Sequence, residues 1–312
     1  MSSAFVENTC LRFLLDTQNE DGGWGFHTGS TSRAEPTAWA VVALVEWAST
    51  QAHKDAAFRA FHFLDAAQLP DGSWPTSPAL REGSWVTSLA CLALLGQNEF
   101  SGKVKRGFGW LCKDLPGEAG LLHRIVRLFV ARKKVGTQNE SYFGWSWTIG
   151  TASWVEPTSY AIISMRATPP EWMSATAKRR LRIGEAMLFD RMCPGGGWNC
   201  GNPMVYGVPG EPQVSSSVWA LLALREHPQR PEVQKSLAWL QGELNSIRSP
   251  ASLALAIMAM NAYGRPHPLL AESLQTKYEQ DEILWDVPEV AWAALALSST
   301  QNWLKQKSNG KS

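Results

Sequence analysis

Two kinds of apolar stretch alternate along the chain. In HKDAAFRAFHFLDAAQ (residues 53–68) and RPEVQKSLAWLQGEL (residues 230–244), apolar residues recur every three or four positions among polar ones. That spacing predicts helices with one buried face. In VTSLACLALL (86–95), TSYAIISM (158–165) and EVAWAALAL (289–297), charge is almost absent, so these helices are expected to be buried on most sides. Superposing the buried stretches on Ala40 and Ala43 finds the same small-residue pattern at Ala90 and Ala93, Ala161 and Ser164, Ala220 and Ala223, Ala256 and Ala259, and Ala293 and Ala296. Six units result, separated by 50, 71, 59, 36 and 37 residues, so the middle ones carry insertions.

The joints between the two kinds of helix are copied as well. Phe13, Leu14, Gln18, Gly22 and Trp24 are echoed at the same spacing by Phe63, Leu64, Gln68, Gly72 and Trp74. Glycine permits a sharp turn with positive φ, glutamine can satisfy orphan backbone groups at a helix end, and tryptophan can cover those bonds. A copied supersecondary unit usually closes into a solenoid or ring. The expected architecture is all-α, an (α/α)6 toroid in which six amphipathic helices surround six buried ones. It is expected to form one domain over residues 1–312, with no internal linker.

Composition narrows the function classes. With 45% hydrophobic and 18% charged residues the chain reads as folded throughout. Its 29 Lys and Arg nearly cancel its 28 Asp and Glu, which argues against a nucleic-acid partner. The first twenty residues show no secretory signal, no segment has the length of an apolar membrane span, and the five cysteines lack a disulfide-scaffold spacing. A cytoplasmic location is expected. Contact with a membrane surface stays open because GLLHRIVRLFVARKKV (120–135) places His123, Arg124, Arg127, Arg132, Lys133 and Lys134 on an amphipathic stretch. Such a basic face is either solvated, laid on a membrane or turned to a diphosphate. Sixteen Trp against five Tyr is the compositional anomaly, and the repeated turns supply slots for part of that surplus.

The F-L-x3-Q-x3-G-x-W phrase resembles the QW motif of squalene-hopene and oxidosqualene cyclases, and the turn-to-buried-helix unit is similar to the prenyltransferase and squalene-oxidase repeat. The resemblance implies a terpenoid cyclase-like toroid with an isoprenoid or other apolar polyene as ligand. Cyclases of this kind protonate an alkene or epoxide with an aspartate in a D-x-D-D-T-A phrase. No D-x-D-D occurs here. Aligned on the threonines, Glu35 and Glu156 fall on the donor position, and Trp85, Ser215, Ala251 and Pro288 stand there in the other units.

For Glu35 and Glu156 two readings remain open at this point. Each is either an ordinary acidic helix start before proline or a desolvated general acid. Trp39, Tyr160, Trp219 and Trp292 share one register of four buried helices, with Leu89 and Leu255 in the other two. Together with Trp85 and Trp154 they are candidates to bind substrate, by lining a central cavity and stabilising carbocations. The alternative is that they fill the space between helical layers.

No cofactor and no metal are implied. Asp190 and Cys193 lie three apart, without the D-x-C of prenyltransferase zinc sites, and Cys193 and Cys200 form a lone pair. Two other function classes stay in view. One is a non-catalytic toroid that holds a protein partner on the insertions around Asn199–Gln213 and Leu115–Tyr142. The other is a glycan-active enzyme working with paired carboxylates.

Overall fold

The structure, a computed structural model, describes residues 2–120, 138–280 and 285–307. The chain starts in α1 (Ser2–Phe5), passes through a π-helical segment (Val6–Leu11) and continues as α2 (Arg12–Asp16). Six helices form the inner layer: α3 (Ala34–Glu46), α5 (Val86–Leu94), α7 (Val155–Ala167), α9 (Val214–Ala223), α11 (Pro250–Ala262) and α13 (Val287–Ala296). Each packs on the next and α13 returns to α3, so the ring closes. Outside it lie α4 (Gln51–Ala67), α6 (Ser101–Lys113), α8 (Ala175–Asp190), α10 (Pro231–Glu243) and α12 (Pro268–Gln280). The N-terminal helical segment is the sixth outer element and seals the last unit, with Phe5 against Tyr278 and Phe13 against Trp285.

Small residues set how closely the inner helices approach. Ala40, Ala90, Ala161, Ala220, Ala256 and Ala293 are all fully buried, as their shared register predicts. Among the described residues, no helix is long and apolar enough to cross a membrane. The basic stretch containing His123, Arg124, Arg127, Arg132, Lys133 and Lys134 lies outside the described residues.

Hydrogen bonds explain why the turn phrase is copied. The indole Nε1 of Trp24, Trp74 and Trp198 donates to the carbonyls of Leu14, Leu64 and Leu188 at 2.9, 2.7 and 2.6 Å. Trp145 donates to Leu111 at 2.9 Å across the long insertion. The backbone N–H of each of these tryptophans donates to an inner-helix hydroxyl, on Thr37, Thr87, Thr158 or Ser217. Gln18 Nε2 bridges the carbonyls of Gly22 and Ala56, and Gln68 Nε2 those of Gly72 and Lys103. Arg59 and Arg106 donate back to the glutamine oxygens. Gly22 (φ +84°) and Gly72 (φ +96°) must be glycine, because a Cβ there would come within 2.6 and 2.9 Å of the Arg59 and Arg106 backbone.

The two ends of the ring differ. Beyond α13 the chain runs as a strap across the C-terminal ends of the inner helices. The Glu46 carboxylate accepts from Ser298 Oγ, Thr300 Oγ1, Asn302 N and Trp303 N, at 2.5 to 2.9 Å. Farther along, Gln306 and Lys307 donate to the carbonyls of Thr168 and Ala167, and Arg225 donates to Leu304. Trp303 is buried against Trp39, ring centroids 6.1 Å apart. The strap forms a floor, and the N-terminal ends of the inner helices form the opposite face, the mouth.

Candidate functional site

The candidate residues stand in two layers at the mouth. Glu35 and Trp39, Glu156 and Tyr160, Ser215 and Trp219, and Pro288 and Trp292 are each four apart on their helices, so each pair shares a face one turn apart. Both glutamates enter their helices in the same way. An isolated bridge pairs Trp24 with Arg33 and Trp145 with Trp154, which sets an extended residue before the helix, and proline follows the glutamate.

The lower layer is aromatic. Tyr160 and Trp219 lie 4.9 Å apart, Trp219 and Trp292 5.8 Å, Trp39 and Tyr160 6.0 Å, and Trp39 and Trp292 6.0 Å between centroids. Trp39 and Trp219, on helices at opposite sides of the ring, meet at 5.2 Å. At this level the middle of the toroid is filled by side chains. The rings therefore face the axis and do not fill the space between helical layers. Trp85 stacks on Tyr160 at 5.4 Å, and Trp147 meets Trp85 edge-on at 4.8 Å. Leu89 and Leu255 are buried in the two remaining inner helices. Trp154 stands apart from this cluster, lining a recess of about 210 Å³ beside Glu118, Gln138 and Arg191.

The two glutamates are treated differently. Glu156 Oε1 accepts from Ser215 Oγ at 3.0 Å and Ser216 Oγ at 3.1 Å. Glu35, half-buried, makes no side-chain hydrogen bond among the described residues. Burial, assisted by the negative charges of Asp286 and Glu156 and opposed by Arg33, pushes its carboxyl up to about 7. The positive end of the α3 dipole favours the anion, yet desolvation is the larger effect. Burial and Glu289 also raise Asp286, to about 6, against the pull of His27. One of its oxygens, Oδ1, is buried with no hydrogen-bond partner among the described residues. Tyr160 is held well above its ordinary value by burial first and then by Glu156 and Glu35. The mouth thus gathers carboxyl groups over an aromatic base, and burial raises two of them, Glu35 and Asp286, toward neutral pH.

Asp286 is the residue that the repeat alignment misses, because Pro288 occupies the glutamate position of that unit. A signal was present in the Asp-Val-Pro start of α13, which sets an acid just before a buried helix. No group of three or more metal-ligating side chains is present among the described residues. Asp190 Oδ2 instead accepts from Asn139 N at 2.8 Å.

Comparison with known proteins bears on the fold. Residues 1–84 match the squalene-hopene cyclase C-terminal domain. Over 73 residues, 23% of the chain, the sequence is 43% identical to the drimenyl diphosphate synthase of Streptantibioticus cattleyicolor, a match spanning 13% of that relative's length. The type II terpene cyclase MstE from Scytonema superposes with a TM-score of 0.63 at 14% identity, covering 97% of this chain and 99% of the cyclase. The chain has the fold of the terpenoid cyclase-like superfamily. A variant of the Scytonema cyclase has been solved in complex with geranylgeranyl dihydroxybenzoate (TM-score 0.61, 15% identity, 97% of each chain). An α-amylase from Clostridium perfringens also superposes, with a TM-score of 0.62 at 11% identity over 94% of this chain and 97% of that one. The toroid of this superfamily therefore does not by itself fix a chemistry, which has to be argued from the side chains.

Proposed function

We propose that the mouth binds an isoprenoid-type polyene and starts its cyclisation by proton transfer from Glu35. The observation that carries this reading is a half-buried carboxyl that keeps its proton to about pH 7, one helical turn above Trp39. In the proposed step the Glu35 proton adds to an alkene carbon, leaving the Glu35 carboxylate and a carbocation. The π faces of Trp39, Tyr160, Trp219 and Trp292 stabilise that cation. Glu156, held by two serine hydroxyls, supplies a fixed acceptor two inner helices round the ring from Glu35. Sequence similarity to a drimenyl diphosphate synthase and structural likeness to a cyclase solved with a geranylgeranyl ligand support the substrate class.

The test is product analysis after incubation with squalene and with a prenyl diphosphate. Glu35→Gln is expected to lower turnover on the order of 10²- to 10⁴-fold, the usual contribution of a positioned acid. Turnover by the parent protein should fall as pH rises through about 7, where Glu35 loses its proton. Full activity in Glu35→Gln would sink the proton-donor assignment.

A second reading, a toroid without catalytic activity, is favoured by the contact of Trp39 with Trp219 across the axis. In it the exposed hairpin of β1 (Met204–Val205) and β2 (Val208–Pro209), with Tyr206 at its tip, meets a protein partner. A stoichiometric partner that copurifies equally well with Glu35→Gln, together with no substrate consumed, would decide for it.

A further inference from the structure

At the floor, away from the carboxylates of the mouth, a recess of about 450 Å³ opens beside the strap. Four cations line it: Arg166 from α7, Lys178 from α8, Arg225 just after α9 and Lys305 from the strap. Glu226 is the one carboxylate among its lining residues. Met173 and Leu181 supply an apolar wall. We propose that this recess is a binding site for a phosphate-bearing ligand with an apolar body.

The positive charges are incompletely matched. Arg166 pairs with Glu185, which also lies 3.5 Å from His227 Nε2. Arg225 is only 12% exposed, and its Nη atoms are spent on the carbonyls of Leu222 and Leu304. Its nearest carboxylate, Glu226, is 3.8 Å away and half in solvent. Burial pushes Arg225 down from the usual guanidinium range, with Glu226 opposing and the like charge of Arg166 adding to the effect. Lys178 Nζ has no hydrogen-bond partner among the described residues and is free to turn inward.

An anion carrying more than one negative charge would relieve this excess, which selects a phosphate group over a single carboxylate. The volume lies within the range of about 300–1,000 Å³ common for small-molecule sites, and the thioether and leucine wall accepts an alkyl or prenyl body. Because Lys305 belongs to the strap while Arg166 and Lys178 do not, the bound ligand would tie the strap to α7 and α8. The site stands independently of the reaction proposed at the mouth.

Calorimetry on the full chain at low salt tests the proposal with three probes: monomeric dodecyl phosphate, inorganic phosphate, and vesicles containing phosphatidic acid. Dodecyl phosphate should bind, with inorganic phosphate at least about tenfold weaker for want of the apolar contact. The Lys178→Glu, Lys305→Glu double variant changes two exposed side chains, removing only the bond from Lys305 Nζ to Asn302 Oδ1 at 2.9 Å, and it should weaken binding by at least about tenfold with the far-UV circular dichroism of the parent. Dodecyl phosphate should also slow tryptic cleavage after Lys307 in the parent protein. Absence of dodecyl phosphate binding, equal binding by the double variant, or binding to vesicles alone would each overturn the proposal.

Discussion

Helix α3 carries a glutamate near each end, and the protein treats the two in opposite ways. Glu46, at the C-terminal end, faces the negative pole of the helix dipole, where an anion is disfavoured. Four donors of the strap nevertheless converge on it, two hydroxyls and two backbone N–H groups. Glu35, at the favourable N-terminal end, accepts no hydrogen bond among the described residues and feels Asp286 and Glu156 against the single opposing charge of Arg33. The contrast separates a carboxylate used as a joint from a carboxyl left available for chemistry. Hydrogen-bond supply marks the difference where dipole position alone would mislead.

Removing the joint should have the largest effect on stability. Glu46→Ala strands four donors, two of them backbone groups that cannot turn away. With bonds to charged groups worth about 1.5–3 kcal/mol each and strongly non-additive, a loss of about 3 kcal/mol is expected. Urea unfolding followed by Trp303 burial measures it. Should Glu46→Ala unfold at the parent's midpoint while Glu35→Ala does not, the contrast between the two ends would invert.

Next in size is the pH dependence that Glu35 imposes. Its folded pKa of about 7 lies above the model-compound value of 4.5, so between those pH values the folded chain keeps a proton that the unfolded chain releases. Stability from this group is fully present below the unfolded pKa and is lost as pH rises through about 7. Partial exposure discounts the full shift to about 2 kcal/mol. Asp286, raised from 3.8 to about 6, acts in the same direction at lower pH. Glu35→Gln should therefore gain stability relative to the parent between about pH 5 and pH 8. A constant difference across that range would mean that Glu35 is ionised throughout.

The repeating parts of the molecule were legible in the sequence because each performs one task several times. Trp24, Trp74, Trp145 and Trp198 each donate to a helix-end carbonyl, and the six register alanines are all buried. Periodicity also puts Trp39 and Trp219 in one shared register of their helices, without saying whether that register faces the axis or the outer layer. It gives no measure of how far the two residues stand apart, so their contact across the axis emerges only from the closed ring. The strap is invisible for another reason. Trp303 follows the last unit and has no counterpart to be compared with, and Glu46 looks like any polar residue at a helix end. Trp154 lies two residues before Glu156 in sequence, yet it lines a different recess from the aromatic cluster.

The smallest expected effect concerns Glu156, which lies between the two extremes. It occupies the mouth like Glu35 yet accepts two hydrogen bonds, from Ser215 and the buried Ser216. If these hydroxyls only satisfy a half-buried acceptor, the Ser215→Ala, Ser216→Ala double variant loses about 1 kcal/mol of stability and nothing else. If they also hold Glu156 in place near Glu35, the variant's turnover falls by more than that loss accounts for, with the pH at which Glu35 loses its proton nearly unchanged. Comparing the pH profile of the serine variant with that of Glu156→Gln separates the two outcomes. Removing the Glu156 charge removes one cause that raises Glu35, so only Glu156→Gln should move the falling limb of the profile to lower pH.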